Sequence, residues 1–234
     1  MKSKMLLYTL IFILIIFEFN GCTPKLDTNL LIISSPDNKI INYYEYDCND
    51  KSTEKIYSLP KTCYPTATLS YDRNTLYFTK SDENNFPQLF KIDLNTNEEK
   101  QLTFQKENII NVDFLKINYS KNIIYLRIVQ EDHRNFSFAI YDINSNQLKI
   151  LDKDELDLSE QFFDFNNSGK SILMLQNSIE EEFDLMKKAN KSKDMNIFPS
   201  YNIILMDENS ENKNIYGSLT GNIIDVSISN DNKA

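Results

Sequence analysis

The residue types from which enzymes build nucleophilic sites are scarce in this 234-residue chain. Its single histidine, His133, lies in the polar stretch 130–135, and no G-x-S-x-G turn is present. A histidine-based triad needs its histidine beside a serine or cysteine nucleophile, and that turn would expose such a serine. We predict that His133 is a solvated loop residue and that the chain has no catalytic residues.

Two segments, 93–97 and 142–146, have the D-x-N-x-N pattern with which a calcium-binding loop begins. A complete loop also needs glycine at its sixth position and glutamate at its twelfth. The first segment has Glu98 and Phe104 there, and the second has Gln147 and Lys153. Aspartate and asparagine are also favourable in hairpin turns, and the cysteines and histidine show no zinc-ligand spacing. We therefore predict turns, without a metal or other cofactor.

The N-terminal region has the order of charge and hydrophobicity that is typical of an export signal. Lys2 and Lys4 precede a largely apolar run of 12 residues, 6–17. A membrane-spanning helix needs about 20 apolar residues, so this run has the length of a signal-peptide core. Residues 19–22, Phe-Asn-Gly-Cys, resemble a bacterial lipobox. That resemblance implies a lipid on Cys22.

From these features we predict a lipoprotein signal peptide at 1–21 and a polar tether at 22–29. The chain would be anchored through its lipid to the extracytoplasmic side of the cell membrane. At about 3.3 Å per residue, the tether would hold the domain within about 25 Å of the bilayer. An uncleaved short anchor and a buried structural helix are the alternatives for the apolar run.

The composition indicates a globular protein that does not bind nucleic acid. Hydrophobic residues make up 41% of the chain and charged residues 25%, as in ordinary folded domains. The net charge is −9, from 34 acidic and 25 basic residues. Because nucleic-acid binding needs clustered lysine and arginine, we expect no nucleic acid among its partners.

Similar short segments recur along the chain after residue 30. An apolar strand, a polar turn and a second apolar strand occupy 69–78, and the same order recurs 48 residues later at 117–126 and again at 165–174. A second recurring strand ends at an aspartate in four places, Asp47, Asp93, Asp142 and Asp207. Four strands in each repeat of roughly 40–50 residues is typical of propeller blades.

The repeat at 64–104 resembles the TolB-like (PD40) propeller repeat. That repeat has a Ser-Pro-Asp-Gly-Lys turn, an apolar strand, a strand ending in aspartate and a terminal Leu-Thr. Here the turn is Ser-Tyr-Asp-Arg-Asn at 70–74, the later strand is Leu-Phe-Lys-Ile-Asp at 89–93, and Leu-Thr follows at 102–103. The glycine of the family turn occurs only at Gly169. The resemblance implies an all-β propeller; a β-sandwich with similar hairpins is the alternative.

We predict about four four-stranded blades, at 30–60, 63–105, 109–152 and 158–220, with one helical insertion. The first repeat shows three strands and lacks the innermost one. Residues 223–228 are predicted to form a strand of that missing type, which begins a further segment at 223–234. It would either close a ring onto the first repeat or begin the next part of a longer, truncated propeller.

One insertion, at 177–199, interrupts the repeat pattern. Its Ser178 and Glu181 have the spacing of a helix capping box. Ile179, Phe183 and Met186 fall on one helical face, and Asp184 is predicted to pair with Lys188. The helix either covers a hydrophobic patch on the rim or binds a partner through Ile179, Phe183 and Met186.

The leading hypothesis is a membrane-anchored, non-enzymatic propeller that binds a protein or peptide. The rival is an enzyme, or an enzyme subunit, that uses carboxylates on one propeller face for acid–base chemistry. Its candidate residues are Glu131, Asp132, Asp82 and Glu83. A truncated remnant of a longer propeller lipoprotein is a third interpretation.

Cys48 and Cys63 are predicted to be free thiols. The strand order places Cys48 at a turn before the last strand of the first repeat, and Cys63 at the start of the next repeat. Five or six residues of strand span about 15–20 Å. A disulfide requires the two Cα atoms to lie within about 7 Å.

Overall fold

The structure, a computed structural model, describes residues 29–151, 157–166, 168–192, 197–207 and 213–229. The predicted signal peptide, Cys22 and the tether up to residue 28 lie outside the described residues, as do residues 230–234.

The strands of the described residues form four antiparallel sheets, or blades, each built from consecutive segments of chain. Blade 1 contains β1 (Leu30–Ser34), β2 (Ile40–Asp47) and β3 (Ser52–Pro60). Blade 2 contains β4 (Ala67–Leu69), β5 (Thr75–Ser81), β6 (Pro87–Asp93) and β7 (Glu99–Gln101). A 3₁₀ turn, Gln105–Glu107, then leads to blade 3.

Blade 3 contains β8 (Ile109–Asn118), β9 (Ile123–Gln130), β10 (Ser137–Asp142) and β11 (Gln147–Ile150). Blade 4 contains β12 (Leu158–Phe165), β13 (Ser171–Ser178), β14 (Ser200–Asp207) and β15 (Lys213–Thr220). Helix α1 (Ile179–Ser192) lies between β13 and β14. The predicted all-β fold with four blades and one helical insertion is therefore confirmed, with three strands in the first blade.

The hydrophobic core is divided into three clusters, one between each pair of neighbouring blades. Blades 1 and 2 share a cluster that includes Tyr43 and Phe78, whose ring centroids are 6.1 Å apart. Blades 2 and 3 share a mainly aliphatic cluster that contains Leu89 together with Tyr77 and Tyr141. Tyr125 and Phe163 pack between blades 3 and 4. Because each inner blade is covered on both sides, its central strands are apolar on both faces.

The recurring aspartates Asp47, Asp93 and Asp142 each end a strand and shape the turn that follows. Asp93 Oδ1 accepts hydrogen bonds from the amides of Asn95 and Thr96, at 2.8 and 2.9 Å. Asp142 makes the same contacts to the amides two and three residues later. These backbone hydrogen bonds lower the pKa of both carboxyl groups. The D-x-N-x-N segments are therefore hairpin turns, as predicted.

In each complete blade, the described residues of the turn between the first and second strands include one with positive φ. Gly169 has φ of +64° in blade 4, while Arg73 and Asn122 have φ of 62° and 55° at the equivalent turns. An added Cβ at Gly169 would lie 2.0 Å from Asn118 Nδ2, so this position needs glycine for space as well as conformation.

Within the described ranges, blade 1 lacks the innermost strand, as the sequence predicts. Its β2 ends at Asp47, and β6, β10 and β14, which end at the equivalent aspartates, are third strands in their sheets. Strand β1 therefore corresponds to a second strand.

The predicted strand at 223–228 is wrong for this structure. Residues 222–229 have no assigned strand, and no strand among the described residues pairs with them. The amide of Ile228 instead donates to Asp164 Oδ2 at 3.0 Å. Alternating apolar residues favour an extended backbone, but a strand also requires a neighbouring edge with free backbone groups.

Candidate functional site

A groove of about 990 Å³ lies between blades 3 and 4. One wall is α1, and the other is the loop 131–136 that joins β9 to β10. Both segments connect the second strand of a blade to its third, so they lie on the same face of the fold. We call this feature the docking groove; its lining residues are Asp132, His133, Arg134, Asn135, Phe136, Asp157, Ser159, Gln161, Ile179, Glu180, Glu182, Phe183 and Met186.

The N-terminal end of α1 is fixed to the start of blade 4. Ser178 Oγ accepts a hydrogen bond from the amide of Glu181 at 3.1 Å, which confirms the predicted cap. Ser178 Oγ also donates to Asp157 Oδ2 at 2.9 Å, and the other carboxylate oxygen accepts the amide of Glu180 at 3.0 Å. Asp157 therefore sets the direction in which the helix leaves the blade.

The three predicted partner-binding residues, Ile179, Phe183 and Met186, all line the docking groove. The side chains of Phe183 and Met186 are 52% and 51% exposed, and no described residue of α1 is buried. The predicted Asp184–Lys188 pair is replaced by an Asp184–Lys187 pair at 3.1 Å. Lys187 also lies 4.5 Å from the centroid of the Phe183 ring, and this attraction favours the nearer lysine.

A partly buried network of polar and aromatic contacts supports the opposite wall. Arg127 donates through Nε and Nη2 to the two carboxylate oxygens of Asp113, at 2.8 and 2.9 Å. Its Nη1 donates to the backbone oxygen of Gln161 in blade 4. The guanidinium group lies 4.2 Å from the centroid of the Phe136 ring. Arg127 thereby holds Phe136 and Gln161, two residues of the groove, in fixed positions.

His133 differs from its prediction. It lies in a loop, and its amide donates to the oxygen of Gln130 at 3.1 Å. Its side chain is only partly exposed, and its Nδ1 atom is enclosed in the groove wall without a hydrogen-bond partner in the described part of the chain. His133 is partly enclosed because α1 of the neighbouring blade covers the loop 131–136, which would otherwise face water.

The rim of the docking groove is predominantly acidic. Asp132, Asp157, Glu180 and Glu182 contribute carboxylates, whereas Arg134 is the one lysine or arginine among the lining residues that the structure describes. Glu182 Oε2 accepts a hydrogen bond from Asn177 Nδ2 at 2.9 Å. Burial, and then the charge of Glu182, raise the pKa of the nearby Tyr201. The docking groove thus combines apolar side chains on both walls with a negative rim.

The four candidate acid–base residues are divided between two hollows. Asp82, Glu83 and Glu131 line a second hollow of about 580 Å³ between blades 2 and 3, while Asp132 belongs to the docking groove. Asp82 Oδ1 accepts the amides of Asn84 and Phe86, at 2.9 and 3.0 Å, so it stabilises its own loop. Within the described ranges, no group of three histidine, cysteine or acidic side chains is arranged to hold a metal ion.

Cys48 and Cys63 are both free and partly exposed, which confirms the predicted thiols. Cys63 precedes β4 by four residues rather than starting it. Burial raises the pKa of its thiol.

Among the residues that the structure describes, no helix has both the length and the apolar character needed to cross a membrane.

The sequence prediction missed Arg127, Phe136 and Gln161 as supports of the docking groove. One available signal was the 48-residue repeat, which places the loop 131–136 and the insertion at equivalent connections of adjacent blades. The arginine–aspartate pair has no comparable signature, because Arg127 and Asp113 are 14 residues apart and meet only through strand register.

Comparisons with known proteins place this fold. No family model matches the chain. The TolB structure from Acinetobacter baumannii matches 80% of this chain and 40% of its own, with a TM-score of 0.57 and 17% identity. The fold is that of a TolB-like β-propeller. A chain from the nidogen/laminin complex matches this propeller with a TM-score of 0.50 and 11% identity, over 81% of this chain and 61% of its own.

At the sequence level, the propeller is 31% identical over 208 residues to the uncharacterized protein YdjN of Bacillus subtilis (strain 168). The match covers 87% of this chain and 56% of YdjN, so the chain spans little more than half the length of this relative. The structural similarities establish the fold alone, since one propeller fold serves many functions.

Proposed function

We propose that this propeller is a lipid-anchored, non-enzymatic binding protein that holds an apolar segment of a protein or peptide in the docking groove. The observation that carries the proposal is the exposure of Phe183 and Met186 in a groove whose opposite wall contains Phe136. Large apolar side chains that remain exposed at a concave site are typical of recognition surfaces.

The shape of the docking groove suits the side chains of a short segment. Its volume of about 990 Å³ is at the upper end of the roughly 300–1,000 Å³ of typical ligand sites. Met186 adapts to different apolar groups, because methionine is flexible and polarizable. Arg127 fixes Phe136 on the other side, so one wall is rigid and the other adaptable.

The acidic rim indicates the charge of the partner. A segment with lysine or arginine beside its apolar residues would complement Asp132, Glu180 and Glu182. Such complementarity chiefly increases association rates and specificity, and its effect weakens as salt concentration rises. The preferred partner is therefore a basic, apolar peptide segment.

Selection from a displayed peptide library would test the proposal. Peptides would be selected on the purified protein, and their dissociation constants measured with Phe183→Asp. We expect a loss of at least about tenfold, because a central aromatic anchor contributes about 1–3 kcal/mol or more to binding. Tyr216→Asp is the matched control, since Tyr216 is 69% exposed on β15, outside the groove. Equal binding to wild type and Phe183→Asp would refute the assignment of the groove.

The second candidate function is acid–base catalysis in the hollow that contains Asp82, Glu83 and Glu131. The specific observation in its favour is that three carboxylates line one hollow. A hydrolytic or lyase activity that disappears in Glu131→Gln and persists in Phe183→Asp would replace the binding proposal with this one.

The anchor rests on the sequence of the N-terminal region, and on Cys22 in particular. Two or more acyl chains are needed for stable membrane attachment, as a bacterial lipid modification supplies. In cells fed a labelled fatty acid, we expect Cys22→Ala to abolish labelling and to release the protein from the membrane fraction. A variant that keeps the wild-type mature size and membrane fractionation would contradict the anchor.

A further inference from the structure

The hollow of about 580 Å³ between blades 2 and 3 is built in the same way as the docking groove. In each, two neighbouring blades contribute the connection between their second and third strands, and the chain that joins the blades lies between these connections. We call the hollow between blades 2 and 3 the acidic hollow. Its lining residues lie within 82–84, 101–108 and 131, and those of the docking groove within 132–136, 157–161 and 179–186.

A single loop, 131–136, separates the acidic hollow from the docking groove. We call this loop the ridge. Glu131 lines the acidic hollow, and the next residue, Asp132, lines the docking groove. The backbone bends at this point, where Asp132 has φ of 68°. Because consecutive Cα atoms are about 3.8 Å apart, the two sites adjoin along the same face of the fold.

The ridge is tied to the connections between blades at both of its ends. The amide of Glu131 donates to the backbone oxygen of Asn108 at 2.8 Å, in the connection between blades 2 and 3. At the other end, Asn135 Nδ2 donates to the backbone oxygen of Leu158 at 2.8 Å, at the start of blade 4. A partner that crosses the ridge therefore meets a loop that is already ordered, which lowers the entropic cost of binding.

The acidic hollow has side chains that suit a basic group. Glu83 and Glu131 are exposed there, whereas Asp82 stabilises its own loop. Lys106 is the one lysine or arginine among the lining residues that the structure describes, and its ammonium group lies 4.9 Å from the centroid of the Phe104 ring. Acidic side chains therefore outnumber basic ones in the acidic hollow, as they do on the rim of the docking groove.

The distance between the two sites follows from the packing of the blades. Stacked sheets lie about 10 Å apart, and the acidic hollow and the docking groove lie on either side of blade 3. An extended peptide advances about 3.3 Å per residue, so about three residues span this distance. A peptide with an apolar side chain in the docking groove can thus bring a residue about three positions away over the acidic hollow.

We propose that the acidic hollow is the second half of the peptide site. A lysine or arginine of the segment held in the docking groove crosses the ridge and pairs with Glu83 and Glu131. This inference rests on the proposed function and specifies its partner, an extended segment with an apolar residue and a basic residue about three positions apart. Because the ridge fixes the spacing of the two contacts, it selects among basic, apolar segments.

The test is a double-mutant cycle between the protein and a peptide that was selected on wild type. Glu83→Gln/Glu131→Gln removes two charges from the acidic hollow and preserves the size of both side chains. Glu54→Gln/Glu98→Gln is the matched control, since it makes the same change in net charge at exposed positions outside both sites. In the peptide, the basic residue is replaced by glutamine. Calorimetric titration at low and high salt gives the dissociation constants.

We expect Glu83→Gln/Glu131→Gln to bind the selected peptide at least about fivefold more weakly than the control variant at low salt. This difference should decrease at high salt, because exposed charge pairs are screened. The peptide with glutamine in place of its basic residue should bind the two variants equally. All four substituted residues are exposed, so neither variant should change the fold.

Three outcomes would overturn the inference, and they differ in what they leave standing. Unchanged binding to Glu83→Gln/Glu131→Gln, with binding lost in Phe183→Asp, would exclude the acidic hollow and leave the docking groove as the peptide site. Equal losses in Glu83→Gln/Glu131→Gln and in the control variant would assign the effect to net charge alone. Unchanged binding to Phe183→Asp, or no peptide selected on wild type, would refute the docking groove and this inference together.

Discussion

Replacing Arg127 with alanine should destabilise the contact between blades 3 and 4 more than any change to an exposed ion pair. The side chains of Arg127 and Asp113 are only 12% and 15% exposed. Removing Arg127 leaves the Asp113 carboxylate without its two charged donors, and leaves the Gln161 oxygen without the guanidinium. It also removes the contact with the Phe136 ring.

The expected magnitude lies between two limits. Breaking a fully buried ion pair costs about 3–5 kcal/mol, whereas an exposed pair contributes about 0–1 kcal/mol. Because Arg127 and Asp113 are nearer the buried limit, we expect the free energy of unfolding to fall by about 3 kcal/mol. For a domain of this size, each kcal/mol lowers Tm by about 2–4 °C, so Tm should fall by about 6–12 °C. With Arg127→Lys, less than half of this lost free energy of unfolding should be recovered, since lysine cannot make the bidentate contact.

Urea unfolding followed by circular dichroism would measure these differences. Lys187→Ala is the control, because Lys187 also combines an ion pair with a contact to an aromatic ring, but its ion pair with Asp184 is 58% and 56% exposed. We expect this control to lower the free energy of unfolding by less than about 1 kcal/mol. If Arg127→Ala lowers the free energy of unfolding no more than Lys187→Ala does, the contacts of Arg127 do not hold blades 3 and 4 together.

Three further predictions concern other parts of the molecule. Iodoacetamide should label Cys63 more slowly in the folded protein than after unfolding, because burial raises the pKa of its thiol; mass spectrometry without reductant would measure the rate. The pKa values of Asp93 and Asp142 lie below their ordinary value of 3.8, so the stabilisation they provide is complete above about pH 4 and is lost as pH falls through their folded pKa values. The denaturant concentration at the unfolding midpoint should therefore fall as pH drops below about 4, and this fall should be smaller in Asp93→Asn. Deleting 178–192 should change Tm by only a few degrees, whereas loss of cooperative melting would show that α1 belongs to the core.

The sequence predicts the blades well because their determinants are local. The aspartate that ends β2, β6 or β10 forms hydrogen bonds within three residues of itself, so the turn can be predicted from the sequence wherever the pattern recurs. The cap of α1 at Ser178 is equally local. These features require no knowledge of what packs against them.

Contacts between blades are the part that the sequence could not predict. The environment of His133 depends on α1, which is more than 40 residues later in the chain. The segment at 223–228 has the alternation of a strand, but its pairing depends on an edge that another part of the molecule must supply. The sequence predicts only the α1 wall of the docking groove. Phe136, on the other wall, acquires its role through contacts with Arg127 and with the neighbouring blade.

The order of strands within each blade also has a consequence for how quickly the molecule assembles. Every strand pairs with the one that precedes or follows it in the chain, so each blade can grow by adding hairpins as the polypeptide emerges. One connection is much longer than the others. Residues 179–199 join β13 to β14, whereas residues 82–86 make the equivalent connection in blade 2. Closing this longer loop costs about 1.2 kcal/mol more, at about 0.6 kcal/mol for each doubling of length, unless α1 forms first and shortens it. We therefore expect the docking of β14 onto β13 to be the slowest hairpin closure, and the α1 cap at Ser178 and Asp157 to accelerate it.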